Sequence, residues 1–515
     1  MRAKKARLCA AIVSAIVVLS NCAHGPKMTG AAVAIAQGRL QGASQNGVES
    51  FLNIPFAAPP VGNMRWRPPG RAPSWSGVRD ATAFGPSCPQ PVRPAIVAGG
   101  IADRQSEDCL QLNIWRPANA ERLPVMVWLH GGAHIIGSGT FPAFNGTSLA
   151  RDGVIVVTIN YRLGPLGYFA HPALTSESSA DGQPIGNYGL MDQIAALEWV
   201  RENIAAFGGD PARVTVFGES AGAIDIVTLL TVPQADGLFS AAIVQSGINF
   251  FEPHPLARQE TLGAALALRA GASVSANADD LRQLSTQALL DAATRGAGLT
   301  NPFIDGTLVR QAPWRAFAEQ RARPVPLLIG ANSNEASVVL AMGVAPETAL
   351  EHAGAGADAT SSYGLAVTDR EFARQVLGDA WFVASARWIA AHASSRAPAY
   401  LYHFDYVPAA LRSASHGAGH GAEVPFVFQS LDYLETLSVP VSDEDRNFAN
   451  AISACWTSFA RLHRPACALV TDWPAYHEAS DELALFSVQS RTVRHYRKAQ
   501  LDLIMSRREA SMARH

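Results

Sequence analysis

The chain has 515 residues, 48% of them hydrophobic, and a formal net charge of −2 at pH 7. No run of five or more like charges interrupts that balance, which excludes a nucleic-acid-binding stripe or an acidic tail. The apolar content suffices for a large core, and the expected partner is a small molecule.

At the N-terminus MRAKKAR precedes LCAAIVSAIVVLS. Basic residues followed by an apolar run too short to span a bilayer form a secretory signal pattern over residues 1–22. LSNC, at 19–22, resembles a bacterial lipoprotein box in which Cys22 carries the lipid, with Asn21 where a small residue is usual. Lipid anchoring through Cys22 and plain secretion both remain open, and either places the protein in the periplasm or outside the cell. The body then holds Cys88, Cys109, Cys455 and Cys467. With no C-x-x-C or paired His/Cys spacing, disulfides are expected rather than a metal site. Three pairings are possible, and local closure, Cys88 with Cys109 and Cys455 with Cys467, is the one expected here.

Short apolar runs recur at Val125–Leu129, Val154–Asn160, Val214–Phe217, Ala241–Gln245, Val325–Ile329 and Ala399–Phe404. Their continuity fits strands buried on both faces of a mostly parallel sheet. Between the second and third, Leu190, Ile194, Leu197, Val200, Ile204 and Phe207 recur at spacings of three or four, predicting an amphipathic helix that ends at Gly208-Gly209. Alternating strand and helix predicts a doubly wound α/β fold. Residues from about 251 to 300 and from 341 to 395 read as helical excursions over a site. No linker divides the chain, so residues 27–510 are taken as a single domain.

VTVFGESAGAIDIVTLL, at 214–230, runs a buried strand through Gly218-Glu219-Ser220-Ala221-Gly222 into a helix. This is the order that a nucleophile elbow requires, because so tight a turn tolerates almost no side chain two residues before or after the serine. A serine hydroxyl needs a base, and the intermediate it forms needs donors aimed at its oxyanion. His130-Gly131-Gly132-Ala133-His134 follows the first strand, and the N–H groups of Gly132 and Ala133 are candidates to join that of Ala221 in an oxyanion hole. Near the end of the core, SHGAGHGAE (415–423) offers two histidines, His416 and His420, which composition alone does not separate.

Together these motifs resemble the type B carboxylesterase family, which includes bacterial para-nitrobenzyl-type esterases, cholinesterases and the non-catalytic neuroligins. The resemblance extends along the chain through FLNIPFAAPPVGNMRWRPP (51–69), EDCLQLNIWRP (107–117), VMVWLHGGA (125–133), NYRLGPLGYF (160–169), GNYGLMDQIAALEWVRENIAAFGGDP (186–211) and FGESAGA (217–223). It implies an α/β-hydrolase fold and a Ser-Glu-His triad of Ser220, Glu335 in GANSNEAS, and His420, whose trailing EVPFVF selects it over His416. It also implies no metal or organic cofactor, a small-molecule ester substrate, a Cys88–Cys109 disulfide near an Arg65–Glu107 ion pair, and a supporting serine at Ser246.

This chain departs from the family pattern near the expected site at Ala133, in place of a third glycine, at His134, at Asp225, and at Ala336, in place of the glycine after the acid. His134 stands where an aromatic commonly follows the oxyanion motif and is expected to wall the cleft, a third candidate base and a polar surface residue being the other readings, whereas Asp225, on the helix after the elbow, occupies a usually small position and receives no role. Trp381, Phe382 and Trp388 are further candidates for an apolar pocket. No aromatic lies between Cys88 and Cys109, which argues against choline esters, since a quaternary ammonium is held by an aromatic face. A neuroligin-like binding protein, an amidase and a lipase are the alternatives on the same scaffold. The joint presence of Ser220, Glu335 and His420 disfavours the first, and the lack of an obvious amphipathic lid disfavours the last.

Overall fold

A computed structural model describes residues 30–91, 104–248, 250, 252–294, 301–341, 359–365 and 370–512. The leader and Cys22 lie outside these residues. Fourteen strands are formed among the described residues: β1 (Ala32–Ile35), β2 (Gly38–Gln41), β3 (Ala43–Gln45), β4 (Val48–Pro55), β5 (Val78–Asp80), β6 (Gln111–Pro117), β7 (Leu123–Leu129), β8 (Ile155–Ile159), β9 (Gly209–Glu219), β10 (Ala241–Gln245), β11 (Leu327–Asn332), β12 (Ala399–Phe404), β13 (Glu482–Phe486) and β14 (Arg491–Arg494). β1, β2 and β5 make a small sheet, and the other strands form one large sheet in the order β14-β13-β12-β11-β10-β9-β7-β8-β6-β4-β3.

From β8 to β13 neighbouring strands are parallel, and antiparallel pairs close both edges. The sheet is the large, mostly parallel one of an α/β-hydrolase. Each expected strand is found; β10 and β12 have the expected bounds, whereas those of β7, β8, β9 and β11 are shifted. β9 begins at Gly209, upstream of the apolar run, because Gly209 already pairs with Leu123. β11 begins at Leu327, just past Pro324 and Pro326, which have no N–H to give a ladder.

Alternation along the central strands divides the interior into two cores. Val125, Val127 and Leu129 face one side of β7, whereas Met126 and Trp128 face the other. The first core takes the apolar stripes of α1 (Tyr188–Asn203) and α2 (Ala221–Leu229); the second takes α5 (Asp443–Leu462), whose Trp456 and Phe459 are fully buried. α1 stops before the expected end: a 3-10 turn, Ile204–Phe207, tightens the chain before Gly208 turns left-handed. The excursion that packs on β11 and β12 is α3 (Arg370–Gly378), a π-helical turn (Asp379–Val383) and α4 (Ala384–Ser394). Cys88 is bonded to Cys109 and Cys455 to Cys467, and Arg65 pairs with Glu107.

The strand order reverses at β7, since β8 lies on one side of it and β9 on the other. Crevices of open α/β sheets form at the carboxyl ends of strands at such a switch point. Both Gly132-Ala133 and Ser220 follow the carboxyl ends of these strands.

The segment after β8 is locked by a buried ion pair. Arg162 donates from Nη2 to Asp192 Oδ1 (2.7 Å), and from Nε and its backbone N–H to Oδ2 (2.8 and 3.0 Å). Both side chains are buried, and burial raises the Asp192 carboxyl above its ordinary range even against Arg162. Removing one partner strands a buried charge, so Asp192→Ala is expected to lower the unfolding free energy by about 3–5 kcal/mol in urea denaturation. A loss below about 1 kcal/mol, the range of a surface pair, would contradict this packing.

Candidate active site

The elbow is built by the approach of two backbones. A Cβ on Gly222 would sit 2.0 Å from the Leu129 carbonyl oxygen at the end of β7, and one on Gly218 would sit 2.7 Å from the same atom. Only glycine fits at either position, and the turn between them is forced tight. Ser220 absorbs the bend with φ 55° and ψ −118°, a conformation costly for a residue with a side chain and found where the surroundings over-determine it. The serine therefore caps α2, half-exposed, above the sheet.

Opposite the elbow, the loop after β7 is also strained. Gly132, Ala133 and His134 all have positive φ, at 108°, 55° and 56°. Among the described residues the N–H groups of Gly132, Ala133 and Ala221 donate no hydrogen bond, so all three are free to receive an anion. His130, beneath them, stacks on Tyr161 with ring centroids 4.3 Å apart. Burial drives its imidazole down to about 4, so it is neutral.

The acid turn and the histidine loop are laced together. Asn334 N–H donates to Ala418 O (2.8 Å), Ala418 N–H to Ser333 Oγ (2.9 Å), Asn332 Nδ2 to Gly419 O (2.8 Å), and His420 N–H to Ser337 Oγ (2.9 Å). Glu335, fully buried, accepts from the Asn332 N–H on one oxygen (2.6 Å) and from His420 Nδ1 on the other (2.5 Å). That contact fixes the tautomer and turns Nε2 outward. Nε2 lies 3.1 Å from Glu219 Oε1, on the residue immediately before Ser220. The elbow and the histidine loop thus meet.

Electrostatics favour the protonated form of the His420 ring. Burial works to lower the His420 pKa, but the carboxylates of Glu219 and then Glu335 outweigh it and hold it above the ordinary histidine value. Burial raises Glu219 itself well above the usual carboxylate range. Glu423, three residues past His420, accepts from Gln245 Nε2 (2.9 Å) and Asn332 Nδ2 (2.6 Å), and Trp456 in turn donates to Gln245 (3.0 Å). This chain of bonds ties both loops to α5.

The remaining sequence candidates divide. Phe382, on the π-helical turn, packs its ring 5.0 Å from that of His420. Trp381 is half-buried beside the small cluster of Ala336, Val339 and Leu377. Trp388 lies in the core between Phe250 and His392. Ser246 is buried at the end of β10, its N–H donating to Gly330 O (2.9 Å). His416 is exposed and stands 3.6 Å from Glu371, away from Glu335. His134 is not on an open wall: it has no exposed surface and bonds through Nε2 to Asp225 Oδ1 (2.9 Å), which is equally enclosed. A ring placed on a bare wall would leave this buried carboxylate without its hydrogen-bond partner, which explains the departure from the expectation. Glu219 was the residue missed. Its only sequence signal was adjacency to Ser220.

The elbow and the histidine loop meet, and comparison with known proteins identifies the family. The model of the carboxylesterase family matches residues 29–362 and 364–504. The para-nitrobenzyl esterase of Bacillus subtilis (strain 168) is 38% identical over 479 residues, covering 88% of this chain and 94% of that protein. The fumonisin B1 esterase of Sphingopyxis macrogoltabida is also 38% identical, over 86% of this chain and 84% of its own. A solved PNB esterase structure superposes with a TM-score of 0.82 at 35% identity, covering 91% of this chain and 99% of that one. A sheet with its switch point at β7, an elbow serine and relatives matched over nearly their whole length converge on one assignment: the chain belongs to the carboxylesterase family and is a carboxylic ester hydrolase.

Proposed function

We propose that the protein hydrolyses esters of small molecules through an acyl-enzyme on Ser220. The observation that carries this reading is the position of His420, bonded to Glu335 through Nδ1 and directed through Nε2 toward the elbow. His420 takes the Ser220 proton as Oγ attacks the ester carbonyl, and the carbonyl π pair moves onto oxygen, where the N–H groups of Gly132, Ala133 and Ala221 receive it. Collapse expels the alcohol, which is protonated by His420. Water, deprotonated by His420 in turn, then releases the acid and restores Ser220. Glu335 stabilises the imidazolium at each stage and holds its tautomer. No step requires a metal or organic cofactor.

Relatives named for para-nitrobenzyl esters, fumonisin B1 and cocaine share this scaffold. Such different alcohols support a reaction defined by the ester carbonyl. Phe382, packed beside His420, supplies an apolar flank for one side of the substrate. Export is part of the proposal: the leader of residues 1–22 and two disulfides both suit an oxidising compartment. Mass spectrometry of the protein recovered from its native envelope reads a diacylglyceryl group on Cys22 or a free N-terminus beyond the leader.

Purified protein is expected to hydrolyse short-chain p-nitrophenyl esters, and Ser220→Ala to reduce turnover by at least about 10⁴-fold with an unchanged circular dichroism spectrum. Turnover persisting in that variant would remove the mechanism. His420→Ala should cost about as much as the serine variant, whereas His416→Ala should stay within about twofold of wild type, as suits an exposed residue away from the acid. Equal losses at the two histidines would refute the choice of base.

The neighbouring carboxylate leads to a pH test. An anion beside an imidazolium raises its pKa, so Glu219→Gln removes part of that stabilisation and lowers it. The acidic limb of the kcat/KM profile, which follows deprotonation of the free enzyme's base, is expected to move to lower pH in Glu219→Gln. A limb that stays in place or moves upward would mean that Glu219 exerts no charge on His420.

A further inference from the structure

His134 and Asp225 lie on the two segments that would supply the oxyanion donors, and they are bonded to each other. His134 directly follows Ala133. Asp225 lies one helical turn beyond Ala221 on α2, and side chains on a helix lean toward its N-terminus. The contact at 2.9 Å therefore crosses from one half of the hole to the other. We propose that the buried His134–Asp225 pair is a positioning device that holds the Gly132-Ala133 donors in register with the Ala221 donor. This rests on the acyl-transfer reading above.

Backbone strain explains why such a device is needed. Three successive residues of positive φ, two of them carrying a Cβ, do not hold that shape unaided. Every polar atom of the His134 side chain is tied: Nε2 to Asp225 and Nδ1 to Asn301 Oδ1 (3.0 Å). Its carbonyl accepts from Gly164 N–H (2.6 Å), and its ring meets Tyr168 edge-on at 4.9 Å. Asp225 is held from its other side by Gln193 Nε2 of α1, 2.5 Å from Oδ2. The loop after β7, α1 and α2 are thus joined through one carboxylate, with no exposed surface at His134, Asp225 or Gln193.

Neither residue is placed to touch the ester. The pair is sealed inside the protein and makes its contribution through Ala133 and Ala221. A pair hydrogen-bonded to each other and, on their far sides, to Asn301 and Gln193 is a stiffer tie than apolar packing, because the hydrogen-bond directions fix orientation as well as distance. Loosening it lets the donors drift from the position that the oxyanion, rather than the substrate carbonyl, occupies. The loss is then expected in the chemical step.

The test uses the whole protein with Asp225→Asn and His134→Gln, singly and combined. Each is assayed with a p-nitrophenyl ester and with an aryl trifluoromethyl ketone. The ketone accepts Ser220 Oγ to form a hemiketal, its carbonyl π pair becoming an alkoxide in the hole while His420 takes the serine proton. Expected is a fall in kcat of about 10- to 100-fold, short of the full loss of a donor, with KM within about threefold. The ketone's affinity should weaken by the same factor as kcat, and the double variant should be no slower than the slower single one. Where Asp225→Asn does not fold, Gln193→Met frees only the far side of Asp225 and should lower kcat and ketone affinity together by a smaller factor.

An unchanged kcat in folded variants overturns the proposal, as does a loss confined to KM or to melting temperature, or additive losses in the double variant. Wild-type protein lacking Ser220-dependent turnover would remove the acyl-transfer reading and this one with it. Wild-type turnover beside unaffected variants removes this one alone.

Discussion

The Leu129 carbonyl at the end of β7 comes so near the elbow that neither Gly218 nor Gly222 has room for a Cβ. From this approach follow the left-handed Ser220, the abrupt start of α2 and the height of the serine above the sheet. It also sets β7 beside β9 at the point where the strand order reverses, so that the donor loop after β7 and the serine after β9 share one crevice. Two parallel strands end there together, with no room for a Cβ between them.

Holding such a turn requires stability elsewhere. Strained residues of this kind persist only inside surroundings that leave no alternative, and here those surroundings are two cores, one on each face of the sheet, with buried polar ties across them. Arg162–Asp192 locks the segment after β8, Glu423 joins Gln245 and Asn332, and Glu335 joins the acid turn to His420. Each is satisfied by several partners, as buried polar groups must be if they are not to destabilise the fold. Rigidity around the site and strain within it are the same design viewed at different distances.

Much of this was legible in the chain itself. The parallel strands announce themselves as unbroken apolar runs, because both of their faces are covered, and the elbow string is readable because its glycines are a steric necessity. The edge strands β3 and β14 are short and partly exposed, so their pattern is weak. His134 and Asp225 each stood out as a departure, but their partnership spans 91 positions in sequence and no local pattern encodes it. Placing His134 on the cleft wall treated it as a lone aromatic substitute. Glu219 lay inside the quoted motif, yet its facing of His420 depends on how two distant loops meet. Phe382 and Trp388 are both aromatics on one helical excursion, and only packing separates the one beside His420 from the one in the core.

A covalent acyl-enzyme is the central claim, and its most direct measurement is the mass of the protein trapped during turnover of a slowly deacylating ester. Acid quenching followed by peptide mapping is expected to find one acyl group per chain, attached to Ser220. An acyl group on another residue, or no covalent adduct while ester is being consumed under conditions where deacylation limits the rate, would contradict the account.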